Sequence, residues 1–400
     1  MKRILFVEDN ELLLELYGQF LAHDPGQWHV TLAPNGEAAV ELLRQQTFDV
    51  VASDMRMPGM SGIELLTLVG KTHPQTARII ISGLADQAEA ADSLKSTHLF
   101  LPKPCGANYL RATLARIASL DAYLKDEKLR ALASRLRTVP SFPSLYSQIL
   151  RAIESPSSSI EAISKIVAQD PGITAKILQV ANSAACALPQ KVSDPGEAVQ
   201  HLGMTTIRSL VLSAQVMSNF APGRLLGFSA DALWAHLMKC AGIARAIMQS
   251  EHADLADVED AFAAGMLHDM GKLMLASALP GEFAHALGLA AEKKIPLHEA
   301  EQQIFGATHA GLIAYLLGLW GLPVGIVEAV AFHHHPEKSN LKQFTALTAV
   351  HVADYFAHSL NEDYDTAPLN EAYLTEIHLA HRLPAWRDVV ANLELETVDE

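Results

Sequence analysis

The sequence predicts an α/β domain, a doubly wound five-stranded parallel sheet, followed by an all-α domain. Up to about residue 120, five short apolar runs alternate with amphipathic segments: Ile4 to Val7, His29 to Leu32, Val50 to Ser53, Ile79 to Ser82 and Leu99 to Leu101. Strands alternating with helices are the pattern of a parallel sheet wound on both faces. Runs nearly continuous in Ile, Val and Leu suit strands covered on both sides. From about residue 110 the strand pattern stops and apolar residues recur at helical spacing. A chain of 400 residues also exceeds one ordinary core.

Leu12-Leu13-Leu14-Leu16-Tyr17 and Ala38-Val40-Leu42-Leu43 mark the first helices. Leu114, Ile117, Leu120 and Leu124 continue one stripe into the charged DAYLKDEKLRALASRLR, a helical and solvated linker with too few heptads for a coiled coil. Pro140, Pro143 and Pro156 punctuate the next stretch of chain, and Asp170-Pro171 reads as an N-cap with proline at the first helical position. LGMTTIRSLVLSAQV offers a turn glycine, a Thr cap and another apolar stripe. After Pro222-Gly223 the composition shifts, and histidines concentrate beyond Arg224. The expected organisation is 1–120, a linker over 121–137, a helical domain over 138–360 divided at 223/224, and a helical extension over 361–400 with an acidic end.

Half of the residues are hydrophobic and 19% are charged, as in a packed protein rather than a disordered one. Thirty Lys and Arg against 45 Asp and Glu leave a net charge of -15, which repels phosphate backbones and disfavours DNA. LGMTTIRSL superficially suggests a helix-turn-helix, but Arg208 is its one basic residue. Cys105, Cys186 and Cys240 form no CxxC pair or zinc knuckle, and so sparse a set suits a reducing compartment. MKRILFVEDN is no signal peptide, and no stretch approaches the roughly 20 apolar residues of a membrane span. A cytoplasmic protein without membrane contact is expected.

Glu8 and Asp9 end the first apolar run, Asp54 the third and Ser82 the fourth, and Lys103 follows the fifth. Parallel sheets gather ligands at the carboxyl ends of their strands, so these five side chains are expected to meet. Three carboxylates in one cleft repel each other unless a hard cation such as Mg2+ joins them. Asp54 is then a candidate nucleophile for a phosphoryl group, with Lys103 neutralising charge on that group and Ser82 donating to its oxygens.

VEDN, SDMRMPGMSG, ISG and LPKP resemble the receiver domains of response regulators over about 1–120, with a flavodoxin-like fold. The resemblance implies Asp54 as phosphoacceptor, and Mg2+ on Glu8, Asp9, Asp54 and the backbone carbonyl of Arg56. It implies Ser82 and Phe100 as the switch pair, Lys103 as the phosphoryl contact, a cis Lys103-Pro104 bond and a sensor histidine kinase as partner. Gly83 departs from the alanine that often follows the switch hydroxyl.

A second set is rich in histidine: His236, His268-Asp269, His309, His333-His334-His335 and Asp354. Imidazoles and carboxylates suit Fe, Mn, Zn or Ni. His268 and Asp269 cannot point the same way within one regular helix, but they can at a helix end, for which Gly271 offers a terminator. His351, Asp354 and His358 share a helix face. His-His-His-Pro also reads simply as a helix C-terminus with cations on its dipole.

LWAH, LHDMGK, HHHP and VAD resemble the HD superfamily of metal-dependent phosphohydrolases. VPSFPSL, ISKIVAQDPGITAKILQVANSA and AVQHLGMTTIRSLVLS resemble its HDOD branch, over about 136–360. The resemblance implies His236, His268, Asp269 and Asp354 as a single-metal set, and His309 with His333 or His334 as the extra ligands of two-metal relatives. Lys272 is a candidate phosphate contact or a helix cap. HHHPEKSN stands where cyclic-dinucleotide phosphodiesterases carry Gly-Tyr-Pro. The function expected is a response regulator in which phosphorylation of Asp54 switches an HDOD output that binds a downstream protein, a nucleotide ligand or a second copy of the chain as a homodimer. The alternative is a receiver-gated metal-dependent phosphohydrolase acting on cyclic dinucleotides or nucleotides.

Overall fold

The computed structural model describes residues 2–22, 28–73, 76–82, 99–103, 127–135, 159–183, 192–218, 228–320, 322–339, 341–359 and 368–398, with a few isolated positions between them. The expected features at Gly83, at Pro104, at either end of the linker and over VPSFPSL lie outside the described residues, as do the side chains of Ser82 and Phe100. The chain divides into two compact units, one of residues 1–144 with 316–321 and one of residues 145–315 with 322–400.

In the first unit β1 (Lys2–Val7), β2 (Trp28–Ala33), β3 (Val50–Asp54), β4 (Ala77–Ser82) and β5 (Leu99–Pro102) form one parallel sheet in the order β2-β1-β3-β4-β5. That is the flavodoxin-like order. Helices α1 (Glu11–Ala22), α2 (Gly36–Gln45) and α3 (Gly62–Thr72) make the crossovers. Alternation along β1 serves both faces: Leu5 and Val7 join the core with Leu43, Leu65 and Val69 of α2 and α3, while the Phe6 ring lies 4.8 Å from that of Tyr17 in α1. Asn35 caps α2 by accepting from the amide of Ala38, and Ser61 with Glu64 forms a capping box on α3. A further helix, α4 (Glu127–Arg135), falls within the stretch expected to link the domains.

The second unit is helical among its described residues. Helices α5 (Ile160–Val167), α6 (Pro171–Ala181), α7 (Pro195–Leu202) and α8 (Met204–Ser218) come first. Asp170 caps α6 through the amide of Ile173, as the Asp-Pro pair predicts. α8 begins at Met204, so its threonines lie in the first turn and neither is the cap. Its Thr206, Ile207, Leu210, Val211, Leu212 and Ser213 are buried, which occupies the helix with packing.

The chain continues through α9 (Ala230–Ser250), α10 (Leu255–Leu267), α11 (Met270–Ala278), α12 (Pro280–Lys293), α13 (Leu297–Phe305), α14 (His309–Leu319), α15 (Val324–Phe332) and α16 (Ala346–Ser359). α9 packs on α10 and on α16, around buried Leu237, Ile243, Phe262 and Val350. The C-terminal stretch, for which the sequence offers no motif, forms α17 (Glu371–Glu376) and α18 (Leu383–Val398). Glu251, the C-cap of α9, accepts hydrogen bonds from Arg382 Nε and Trp386 Nε1, each at 2.7 Å, and Trp386 is fully buried. Among the described residues no helix is long and apolar enough to cross a membrane.

Candidate functional site

Two constellations of carboxylates stand out, one in each unit. In the first unit Glu8 and Asp9 follow β1, Asp54 ends β3 and Lys103 follows β5, so three chain segments converge at one sheet edge. Glu8, Asp9 and Asp54 each bring a carboxylate oxygen within 4.8 Å of the others. Lys103 Nζ lies 2.7 Å from Glu8 Oε2 and 2.9 Å from Asp54 Oδ1. Burial pushes the carboxyls of Glu8 and Asp54 up, and Lys103 only partly offsets it. Lys103 loses solvation too, but the two carboxylates hold its ammonium above the ordinary lysine range.

The Asp54 carboxylate is fixed by its neighbours, accepting a 2.7 Å hydrogen bond from the amide of Met55. Gly62, the first residue of α3, lies so close that a Cβ there would fall 1.9 Å from the Asp54 carbonyl oxygen. Arg56 comes two residues later with its side chain exposed, and Ser82 is the last residue of β4.

The second constellation lies in the helical core. α10 ends at Leu267, His268 is its C-cap, and Asp269 is the N-cap of α11 with φ -102° and ψ 2°. The chain thus leaves the helix at the dipeptide, as two inward-pointing neighbours require. The expected terminator is not the cause: Gly271 sits inside α11, where a Cβ would fall 2.2 Å from the carbonyl oxygen of His309. Close approach of α11 and α14 explains that glycine.

All seven candidate metal ligands come together, in two sets. His236 Nε2 on α9 lies 3.2 Å from His268 Nε2 and 3.2 Å from Asp354 Oδ1 on α16, with Asp269 Oδ2 at 3.6 Å. His268 Nε2 lies 3.5 Å from Asp354 Oδ1 and 3.6 Å from Asp269 Oδ2. The other carboxylate oxygen of Asp269 serves the second set: Oδ1 lies 3.0 Å from His309 Nε2 and 3.8 Å from His333 Nε2. His334 Nε2 is 3.2 Å from His309 Nε2, so both members of the pair contribute. Donors about 2.1 Å from one tetrahedral ion sit about 3.4 Å apart, which these separations match.

Histidine tautomers fit the same purpose. His268 Nδ1 lies 2.8 Å from the Gly265 carbonyl and His333 Nδ1 2.8 Å from that of Val330. A carbonyl only accepts, so each Nδ1 carries a proton and Nε2 is the ring atom presented to the site. His333 Nε2 is buried with no hydrogen-bond partner among the described residues. Burial lowers the pKa of His236, His333 and His334, which keeps them neutral.

Buried Glu301 on α13, which sequence reasoning missed, accepts from the amide and Nδ1 of His309 at 2.8 and 2.6 Å. Burial alone would lower His309, but Glu301 and Asp269 overcome it and push its pKa up to about 9. Without a metal the imidazole therefore keeps a proton that a metal on Nε2 would replace. Asp269 and Asp354 resist the upward push of burial and stay well below the carboxylate range, Asp269 chiefly through Lys272 and Asp354 through His236 and His268. His351 is not a ligand: its Nδ1 donates to the His333 carbonyl at 2.6 Å, and its Nε2 accepts from the amide of Asn370 at 3.0 Å. His358 Nδ1 lies 3.0 Å from Asp354 Oδ1. His298, also missed, stacks on His334 with ring centroids 4.1 Å apart. The buried Nζ of Lys272 lies 2.7 Å from Asp269 Oδ2. Only the fold brings Glu301 and His298 here; a carboxylate eight residues before a histidine is no motif.

Comparison with known proteins agrees with this division. Residues 4–115 match the response regulator receiver domain, and residues 139–336 match the HDOD domain. Asp354 lies beyond the second match. A Treponema pallidum protein of unknown function is 27% identical over 221 residues, covering 54% of this chain and 42% of its own length. A protein-glutamate methylesterase/protein-glutamine glutaminase of Nitrosospira multiformis is 30% identical over 143 residues, covering 34% and 40%. The chain thus spans less than half the length of these relatives. An HDOD domain protein of unknown function from Geobacter sulfurreducens shares the fold with a TM-score of 0.53 at 22% identity, covering 70% of this chain and 96% of that one. A Shewanella amazonensis protein described as a putative phosphohydrolase does so with a TM-score of 0.51 at 22% identity, covering 68% and 95%.

Proposed function

The chain is a response regulator that joins a receiver domain to an HDOD domain, and from that premise we propose that Asp54 accepts a phosphoryl group from a sensor histidine kinase and thereby switches what the helical domain binds. One observation carries the reading: Lys103 Nζ bridges Glu8 and Asp54 at 2.7 and 2.9 Å, beside the one carboxylate fixed by the amide of Met55. An Asp54 oxygen attacks phosphorus, the bond from phosphorus to the donor's histidine nitrogen breaks, and an acyl phosphate forms. Lys103 sits where the transferring oxygens gather charge. Glu8, Asp9, Asp54 and the Arg56 carbonyl would hold Mg2+, which supplies neutralisation of those oxygens.

Ser82 and Phe100, at the tip of β4 and in β5, are the switch pair of this proposal. The division follows the sequence: receiver to 120, linker over 121–137, HDOD domain over 138–360 and extension over 361–400. A downstream protein, a nucleotide or a second copy of the chain is the bound output, and the packed α8 and net charge of -15 speak against DNA. Acetyl phosphate with Mg2+ should label the wild type and leave Asp54→Asn unlabelled; a labelled variant overturns the assignment. If a phosphate mimic leaves the solution shape and the protease sensitivity of the linker unchanged, the switch is wrong.

A second reading, a metal-dependent phosphohydrolase, is favoured by the two donor sets that share Asp269. His236, His268, Asp269 and Asp354 would hold one ion, and Asp269, His309, His333 and His334 another, with Fe, Mn, Zn or Ni suited to them. Such ions supply Lewis-acid polarisation of a phosphoryl oxygen. Elemental analysis of purified protein, followed by nucleotide and cyclic-dinucleotide hydrolysis assays, tests it; no metal and no turnover eliminates it.

A further inference from the structure

The two donor sets are unequal, and Lys272 makes them so. We infer that the Lys272 ammonium acts as a built-in competitor for one of the two cation positions, so that the helical domain takes up metal in two separated steps. The inference rests on the metal-centre reading above and concerns the order of occupation.

Among the described residues Asp269 alone is common to both sets, and its two oxygens are divided between them. Oδ1 faces the imidazoles of His309 and His333. Oδ2 faces His236 and His268 at 3.6 Å each, and it is this oxygen that holds Lys272 Nζ at 2.7 Å. Both partners are buried, so the pair is hardly screened by water and is a charge-assisted hydrogen bond of the strong kind. Lys272 reaches Oδ2 from within α11, three residues on from Asp269, so helix geometry sets the contact.

A first ion can therefore enter the set of Asp269 Oδ1, His309, His333 and His334 while the lysine stays in place. That set supplies four protein donors, a complete tetrahedral shell. Glu301 and the Val330 carbonyl hold two of its rings from behind. An ion entering between His236, His268 and Asp354 finds three donors and an oxygen already engaged by a positive charge. To gain its fourth protein ligand it must displace the ammonium, and until then it is held by three donors with one position open.

The test is a titration of the metal-stripped full chain with Mn2+, followed by calorimetry, with bound metal counted by elemental analysis after gel filtration. Two steps are expected in the wild type, the second clearly weaker. Lys272→Met should leave the first step unchanged and strengthen the second by about tenfold or more. Lys272→Arg, which keeps the charge, should keep the gap. His236→Ala should lose only the weak step and His333→Ala the tight one; this arm holds whatever Lys272→Met does to folding. Two equal steps in the wild type, an unchanged second step in Lys272→Met, or loss of the tight step in His236→Ala overturns the inference and leaves the metal centre standing. A folded chain that binds no Mn2+ in any form removes the metal centre and this inference together.

Discussion

The two constellations solve one problem by different means. Each packs carboxylates close together and sets a lysine among them, Lys103 in the receiver and Lys272 in the helical domain. In the receiver the donors stand at strand tips, with Asp9 exposed and Lys103 half-buried. In the helical domain His268, Asp269, His309 and His333 are almost wholly buried, and the outer nitrogens of the three histidines are tied to carbonyls and to Glu301. An open edge suits a group that must be loaded and unloaded, and a dry, braced cage suits an ion that stays. Burial alone does not separate the two, since Glu8 and Asp54 are themselves buried; the difference lies in the exposed Asp9 and in imidazoles braced from behind.

The largest effects break the comparison outright. Asp54→Asn should abolish labelling by acetyl phosphate, read as a phosphoprotein mass shift, while leaving metal uptake by the helical domain intact. Asp269→Asn should do the reverse. It leaves the buried ammonium of Lys272 without its carboxylate, and should cost the metal-free protein about 3–5 kcal/mol in urea unfolding. Labelling of Asp54 should persist wherever the receiver remains folded.

Smaller changes sharpen it. Glu301→Gln removes the charge behind His309 and should weaken metal binding by about 10–100-fold in a calorimetric titration, with secondary structure retained. Gly62→Ala and Gly271→Ala make a matched pair, since each Cβ would meet the backbone oxygen of a site residue, at 1.9 Å from Asp54 and 2.2 Å from His309. Each should lose about 1–3 kcal/mol, the first in the receiver transition and the second in the helical one.

The smallest effect is a pH dependence of the receiver. Burial raises Glu8 and Asp54 above their ordinary values, so the folded state disfavours their charged forms. Their contribution to stability is present at low pH and is lost as pH rises through the raised values. Hydrogen-exchange protection of β1 and β3 in metal-free protein should therefore fall as pH rises from the ordinary carboxylate range through the raised values, and Mg2+ should restore it. Unchanged protection across that range would count against buried, unneutralised carboxylates.

Among its described residues the receiver sheet was legible from the chain. Its strand runs fall within β1 to β5 at the expected places, and Glu8, Asp9, Asp54 and Lys103 meet because parallel strands all end at one edge. The helical site was legible only in part. His236, the His268-Asp269 break, His309, the pair His333-His334 and Asp354 could be named, but not which oxygen of Asp269 serves which set. Glu301 and His298 had no motif, His351 proved a brace for the His333 backbone, and Gly271 proved a point of helix contact rather than a terminator.

The sequence by itself determined the succession of elements and the chemical character of each site: periodicity and residue type are local properties, and strand direction adds a rule about where ends gather. The tertiary structure decided how the helical segments cross, and with it the pairing of Asp269 with Lys272, the tautomers of His268 and His333 and the separation of two donor sets. Helix crossing depends on the packing of many side chains far apart in the chain, and no local pattern carries that information.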